Sequence, residues 1–472
     1  MPQPHSQTLS ELRSLFRSDF FSNDAHDLIT YGADWSGVLT PDPALIAFPR
    51  STFEVASFLS ECSRLSLSVV PSGGRTGLSG GAVAANGEIV LSLEKMNRIG
   101  RLDASARTLQ VEAGAITENI HRRAADDGLF WPVDFASKGS SQVGGNLSTN
   151  AGGVRVIRYG LTRQWVLGLT VVTMAGKVFE LGGSLEKNNT GIDLRQIFIG
   201  TEGTLGVITE AVLKLTSLPV ESRTRVLFLE LSDFAAVLDL FRQARSASFL
   251  ISAYECLTAA CLREVLSAGM KSPFPNFDSD STSVFALIEI EVEEEMVFDA
   301  FLETLARDAE NQASVLNAVV AETRKHREEL WELRERIAET ILSQGEAHQQ
   351  DLSVGVSDLA SFFQGVESRY RTAYPEFEVF IFGHIGDGNL HFFIRKPEKL
   401  SSDDFHKRCA ESDQMLFEFC QSFRGSVSAE HGIGLLKKDA LHFSKSTAEI
   451  EYARALKNVF DPENFLNPGK VV

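Results

Sequence analysis

Cysteine is scarce. The five residues, Cys62, Cys256, Cys261, Cys409 and Cys420, are scattered with no C-x-x-C pair, which excludes a disulfide framework or an iron–sulfur cluster. Positive charge is also short: 45 Lys and Arg face 63 Asp and Glu, a formal charge of −18. A nucleic-acid binder must neutralise phosphates and needs the opposite balance. No basic cluster suits an anionic membrane surface. No run approaches the roughly 18 apolar residues that cross a bilayer, and MPQPHSQTLSELRSLFRSDF carries no apolar core ahead of a cleavage site. The expectation is a cytoplasmic protein that is not integral to a membrane and has no nucleic-acid partner. Internal repeats and low-complexity tracts are missing as well. What remains is an ordinary globular composition, 43 % hydrophobic and 23 % charged, long enough for two or three domains. Any redox chemistry must come from an organic cofactor or a metal.

Glycine is unevenly placed, with 23 of 36 between Gly73 and Gly206. Short Val/Ile/Leu runs and helical stretches alternate there, as in STFEVASFLSECSRL, GEIVLSLEKM and WVLGLTVVTM. After Val220 glycine thins out, and VLFLELSD, SVFALIEIEVE and FEVFIFGH read as strands separated by amphipathic helices, one of them over 326–343. The expected fold is α+β: a cofactor domain over 1–219, an antiparallel-sheet substrate domain over 220–425, and a C-terminal segment over 426–472, helical after about Lys437.

The loop PSGGRTGLSGG (71–81) links two strands and matches neither G-x-G-x-x-G nor G-x-x-x-x-G-K-[ST]. Its many unhindered N–H groups can form a concave nest for an anion such as a diphosphate, although a long tight turn explains the loop alone equally well. Two further clusters, GSSQVGGNLSTNAGG (139–153) and GTEGTLG (200–206), point to one long ligand touched along its length. Together with NNTGIDLRQIFIGTEGTLGVIT, LWELRERI, GHIGDGNLH, SAEHGIG and the closing LNP, these motifs run in order over nearly the whole chain. In them the sequence resembles flavoproteins of the vanillyl-alcohol oxidase type, and among these the FAD-dependent D-2-hydroxyacid dehydrogenases.

The resemblance implies FAD held by two α+β subdomains. Its diphosphate would lie on the first loop (Pro71, Ser72, Gly73, Gly74, Arg75, Thr76 and Gly77). The rest would be held by Pro132 and Asp134, by Ser140, Gly144, Gly145, Asn146, Thr149, Asn150, Gly152 and Gly153, and by Glu202, Gly203, Gly206, Ile208 and Asn467. Relatives with covalent flavin carry a histidine where this chain has Arg75, so the FAD is expected to be non-covalent.

In the stretch 380–394 two apolar strands flank Gly-Asp-Gly-Asn, and a hairpin would bring His384 and His391 near each other. Glu430 and His431 are consecutive, and on extended chain they point to opposite sides. His384, His391 and Glu430 form a two-histidine, one-carboxylate set that leaves positions open on a metal. On the residues alone, turn-capping histidines and a Lys-paired carboxylate fit equally well; the resemblance implies a divalent ion, zinc ahead of Mn²⁺ or Fe²⁺. Arg334 falls in the apolar stripe of the 326–343 helix, so it needs an anionic partner. A structural Asp or Glu is the usual one. The L-W-x-x-R resemblance implies instead a substrate carboxylate in a bidentate fork.

The activity implied is oxidation of a D-2-hydroxy acid to the 2-oxo acid, C2 giving a hydride to the flavin. The ion would acidify the hydroxyl, and His431 would take its proton, an imidazole pKa of about 6.5 suiting that task. Asn389 is a further carboxylate contact. D-2-hydroxyglutarate leads as substrate. However, Ala338 and Gln349 stand where users of that acid carry Thr and Lys, so D-lactate and D-malate follow. Electrons would leave to a quinone, an electron-transfer flavoprotein or oxygen, and a homodimer is the default assembly. A metal-dependent hydrolase would leave the glycine loops idle. A non-catalytic flavin-binding protein would be yellow but unbleached by any such acid.

Overall fold

A computed structural model describes residues 6–275, 277, 282–312 and 314–472, with the side chain of residue 312 left aside. The first five residues of the expected 1–219 domain lie outside that range. The chain divides into two units, one of residues 1–152, 161–218 and 430–472, the other of 153–160 and 219–429. Among the described residues no helix is long and apolar enough to cross a membrane.

The first unit holds two sheets. One has four strands in the order Phe21–Ser22, Leu45–Ala47, Ile89–Ser92 and Val69–Ser72, the last three mutually parallel. The helix Thr52–Arg64 starts at Ser51, whose side chain accepts from Glu54 N–H, and buries Val55, Phe58, Leu59 and Cys62 at helical spacing against that sheet. The other sheet is antiparallel, in the order Ile99–Asp103, Thr108–Glu112, Val207–Lys214, Val166–Val172 and Val178–Gly182. Its alternating apolar residues pack with Trp131, Val143 and Leu147 into a separate core. The C-terminal segment belongs to this unit. Asn467 N–H donates to Val69 O (2.7 Å), and Lys457 Nζ is shared among Thr204 O, Leu466 O and Asp461.

The second unit is one seven-stranded antiparallel sheet, in the order Val315–Val320, Thr224–Leu231, Val284–Glu291, Leu250–Thr258, Glu378–His384, Asn389–Arg395 and Ala347–Ser353. The interior strands Thr224–Leu231 and Val284–Glu291 are buried along most of their length, their apolar residues broken only by Thr224, Arg225, Glu230, Glu289 and Glu291.

Three expectations change. Residues 153–160 group with the second unit, where Arg155 pairs with Glu289 at 2.7 Å and Arg158 with Glu291. Residues 426–429 stay with the second unit too, because Ser426 and Ser428 bridge Ser353 and Asp351. The helix expected over 326–343 is two helices, Arg324–Glu335 and Ile337–Ser343, divided at Arg336 by a backbone at φ −84°, ψ −2°.

Candidate active site

The second unit's polar centre is built by strand register. Glu255 lies opposite His384, and Asp351 opposite His391, on neighbouring strands. His384 Nδ1 sits 2.8 Å from both carboxylate oxygens of Glu255, and His391 Nδ1 3.5 Å from Asp351 Oδ1. All four side chains are buried. An imidazole that donates from Nδ1 presents a lone pair at Nε2. Here the two Nε2 atoms are 3.4 Å apart. With both rings protonated at Nδ1 the lone pairs repel, with one protonated at Nε2 they make an N–H···N contact, and two nitrogens bound to one tetrahedral ion at 2.0–2.1 Å lie about 3.3 Å apart. The donor chemistry and spacing therefore fit a divalent ion.

Arg334 lies beside these groups. Its Nη2 is 2.8 Å from Glu255 Oε2, and the guanidinium stacks 4.7 Å from the Phe382 ring centre. The structural carboxylate weighed for it is therefore Glu255. Glu255 engages Nη2 as an ion pair, and Nε is buried without a hydrogen-bond partner, which leaves a donor for an incoming carboxylate. Asn389 changes role. Its Nδ2 donates to Asp351 Oδ1 (2.7 Å) and Leu352 O (2.9 Å), so both N–H donors are committed and it orients Asp351 rather than offering a donor to substrate.

In the first unit the three glycine loops converge beyond the strand Val69–Ser72. A Cβ on Gly74 would collide with the Ser140 carbonyl, and one on Gly203 (φ +73°) would press to 3.2 Å from Pro71 Cγ. By contrast, a Cβ on Gly73 would meet only ordinary contacts at 3.7 Å, and one on Gly145 would meet open space. Arg75, at φ +59°, donates from Nη1 to Gly73 O and lies 4.5 Å over the Tyr31 ring. Burial first, and then the Glu94 carboxylate, push that phenol up to about 12. Buried polar atoms here lack hydrogen-bond partners: Ser72 Oγ, Gln142 Oε1, Trp131 Nε1 and Asn467 Oδ1. Gln142 also lines a cavity of about 470 Å³ with Glu94, Lys95, Asn97, Gly114, Ile116 and Asn119. Orphaned buried groups beside an open backbone cradle fit a long polar ligand.

Several other predicted FAD positions have a packing explanation of their own. A Cβ would strike Ala113 from Gly144 and Val171 from Gly206 at 2.6 Å, and Ile208 is a core side chain. Asn146 donates to Thr117, Thr149 to Gly145 O, Ser140 to Ser137 O, and Asp134 accepts from Lys138. Asn150 closes the helix Val143–Thr149 in the left-handed conformation, and Gly152 and Gly153 stand where the chain changes unit. Glu202 accepts from Ile433 and Gly434 N–H (2.7 and 2.8 Å). Burial raises its pKa against these bonds. Glu430 opens the first unit's last segment, directly after Ala429, and His431 Nε2 lies 3.9 Å from Glu430 Oε1.

Residues 43–182 match an FAD binding domain, and 220–471 match the C-terminal domain of FAD linked oxidases. The chain is 42 % identical to a D-2-hydroxyglutarate dehydrogenase of Stutzerimonas stutzeri over 98 % of both chains. It is 44 % identical to one of Xanthomonas citri over 94 % of this chain and 92 % of that one. The chain belongs to the FAD-dependent D-2-hydroxyacid dehydrogenases. The fold of these dehydrogenases, of vanillyl-alcohol oxidase type, is shared by a solved alkyldihydroxyacetonephosphate synthase, with TM-score 0.74 and 18 % identity over 99 % of this chain and 85 % of that one. As a D-2-hydroxyacid dehydrogenase it is an oxidoreductase acting on CH–OH donors.

Four residues of this dehydrogenase escaped the sequence reading. Glu255 and Asp351 stand behind the histidines, Gln142 borders the cavity, and Ser79 donates to the carbonyls of His431 and Gly432. A lone acid inside the apolar strand SAYECL was the available signal for Glu255. Gln142 and Ser79 lay inside the glycine clusters already singled out, and for Asp351 there was no signal.

Proposed function

We propose that this dehydrogenase oxidises D-2-hydroxyglutarate to its 2-oxo acid with non-covalent FAD and a divalent ion, zinc first. The observation that carries the reading is the pair of carboxylate-backed imidazoles with facing Nε2 atoms, beside a buried arginine whose Nε has no hydrogen-bond partner. Two relatives bearing that activity in their names, at 42 and 44 % identity, support the substrate. FAD, when bound, supplies the acceptor for the hydride from C2. A divalent ion on His384, His391 and Glu430 supplies Lewis acidity to the substrate hydroxyl.

Arg334 binds the C1 carboxylate through its guanidinium, Nε among the donors. Glu255 and Asp351 keep both Nδ1–H groups pointed away from the ion site, and Asn389 holds Asp351. His431 takes the hydroxyl proton at an imidazole nitrogen. Gln349 shares a face of its strand with Asp351, two residues away, and its amide hydrogen-bonds the distal carboxylate. Arg75 carries no nucleophile for a flavin bond. Electrons pass on to a quinone or an electron-transfer flavoprotein, the working assembly is a homodimer, and the compartment is the cytoplasm.

The test is anaerobic mixing of the yellow holoenzyme with each acid. D-2-hydroxyglutarate should bleach the flavin, its L enantiomer should not, and chelation should slow bleaching while the colour stays bound. Bleaching by D-lactate or D-malate but not by D-2-hydroxyglutarate would overturn the substrate, and indifference to a chelator would overturn the metal.

A further inference from the structure

The last residues of the chain bury a lysine that no carboxylate pairs with directly. Lys470 is 2 % exposed, yet its ammonium has no hydrogen bond and no carboxylate within 4 Å. Asp34, Glu88 and Glu202 act on it at longer range, and Lys437 acts on Glu202 as well. None of these acids is free to swing over. Asp34 is held by Ser36 and by Gly80 N–H, Glu202 by Ile433 and Gly434 N–H, and Glu88 by Asn86. A largely buried ammonium with no direct partner is costly, and its nitrogen keeps a little accessible surface.

The backbone nevertheless drives the side chain inward. Asn467, Gly469 and Val471 all have positive φ (+47°, +76° and +67°). The tail is pinned by Asn467 N–H to Val69 O and Val471 N–H to Gly434 O. Only Val471, β-branched, is strained by its positive φ, and such strain persists where the surrounding structure holds it. The acids around Lys470 belong to the converging loops: Asp34 fastens Gly80 in the first loop, and Glu202 lies in the third. The ligand already inferred for those loops is an anion.

We propose that Lys470 is the cation by which the C-terminal tail neutralises negative charge on bound FAD, as a positioning residue for the cofactor. FAD carries such charge on its diphosphate and, once reduced, on its ring. The inference rests on the FAD reading. Burial, opposed by Glu88, Asp34 and Glu202, holds the ammonium down at about 8. An added negative charge draws it back up. FAD binding should then take up protons near pH 8, and FAD affinity should fall as pH rises through that value.

The experiment compares wild type, Lys470→Met and Lys470→Arg, each stripped of FAD and titrated with FAD and with ADP by calorimetry at pH 7 and 9 in two buffers. Wild type should show proton uptake and weaker FAD binding at pH 9. Lys470→Met should bind FAD about tenfold more weakly at pH 7, the factor one pKa unit carries, with no pH dependence from this source, while Lys470→Arg stays close to wild type. Loss of ADP affinity in the Met variant assigns the charge to the diphosphate. Unchanged ADP affinity with a lower midpoint potential assigns it to the reduced ring. The Met apoprotein should melt no lower than wild type, since it loses an unpaired buried charge, so a folding defect is separable. Wild type that takes FAD alongside a Met variant with the same affinity, pH profile and potential overturns the inference alone. Wild type that takes no FAD overturns the reading beneath it.

Discussion

The two units prepare their ligands by opposite means. In the first, recognition is left to backbone: glycine loops gather because side chains are missing, and Gly74 and Gly203 are explained by what a Cβ would strike. In the second, the polar centre is all side chain: strand register sets Glu255, His384, His391 and Asp351, and the helix Arg324–Glu335 brings Arg334 to Glu255. The first kind of site tolerates little added volume. The second tolerates volume but not a change in donor or charge. This contrast also explains why the orphaned atoms of the first unit are mostly neutral oxygens and amides, while those at the second unit's site are guanidinium nitrogens.

The sharpest way to break the comparison is to remove a donor. His384→Ala should lose the ion and lower kcat more than the 10- to 100-fold typical of an outer-shell partner, while bound flavin absorbance is unchanged. Glu255→Gln, which leaves the volume and takes the charge, should weaken metal affinity by roughly 10- to 100-fold as measured by competition with a chelator. Flavin loss in either variant would mean that the two sites are not built independently. Next in size is Gly74→Ala. A Cβ against the Ser140 carbonyl should cost about 1–3 kcal/mol of strain, read as weaker FAD retention on dilution with metal content intact. Full retention would show that the cradle is looser than its glycines imply.

The contrast also decided what could be read from the sequence. Backbone sites leave a compositional mark, and the three glycine clusters were visible as one ligand's footprint before any fold was known. The hairpin that joins His384 and His391 was visible too, because apolar strands flank a Gly-Asp-Gly-Asn turn. The strand Ala347–Ser353 was not. Its AHQQDLS has no alternation to detect, since it runs at the sheet edge where His348 meets Asp413 of a covering helix. Asp351 therefore stayed hidden until the register was known. Glu255 was hidden for the converse reason, as a charge inside an apolar strand whose partner lies 129 positions away. The segment 153–160 was assigned by sequence continuity, whereas its arginines are held by Glu289 and Glu291 far along the chain.

A smaller effect sharpens the substrate side. Gln349 offers a neutral amide where the resemblance expects an ammonium. Gln349→Lys should therefore lower KM for D-2-hydroxyglutarate several-fold, the order of one exposed charge-assisted contact, and leave KM for D-lactate unmoved. Equal changes for both acids would remove the residue from the distal carboxylate.

The smallest effect tests whether a carboxylate in the backbone-built unit behaves as structure alone. Burial raises the pKa of Glu202 above its unfolded value, although two N–H groups oppose this. The folded chain then holds the proton more tightly than the unfolded one, so the contribution to stability is present at low pH and lost as pH rises through the folded value. Glu202→Gln cannot titrate. The difference in melting temperature between wild-type apoprotein and this variant should therefore shift in favour of wild type as pH falls from 7 toward 4.5. A difference that stays flat across that range would mean that the Ile433 and Gly434 N–H groups outweigh burial and keep the carboxylate ionised throughout.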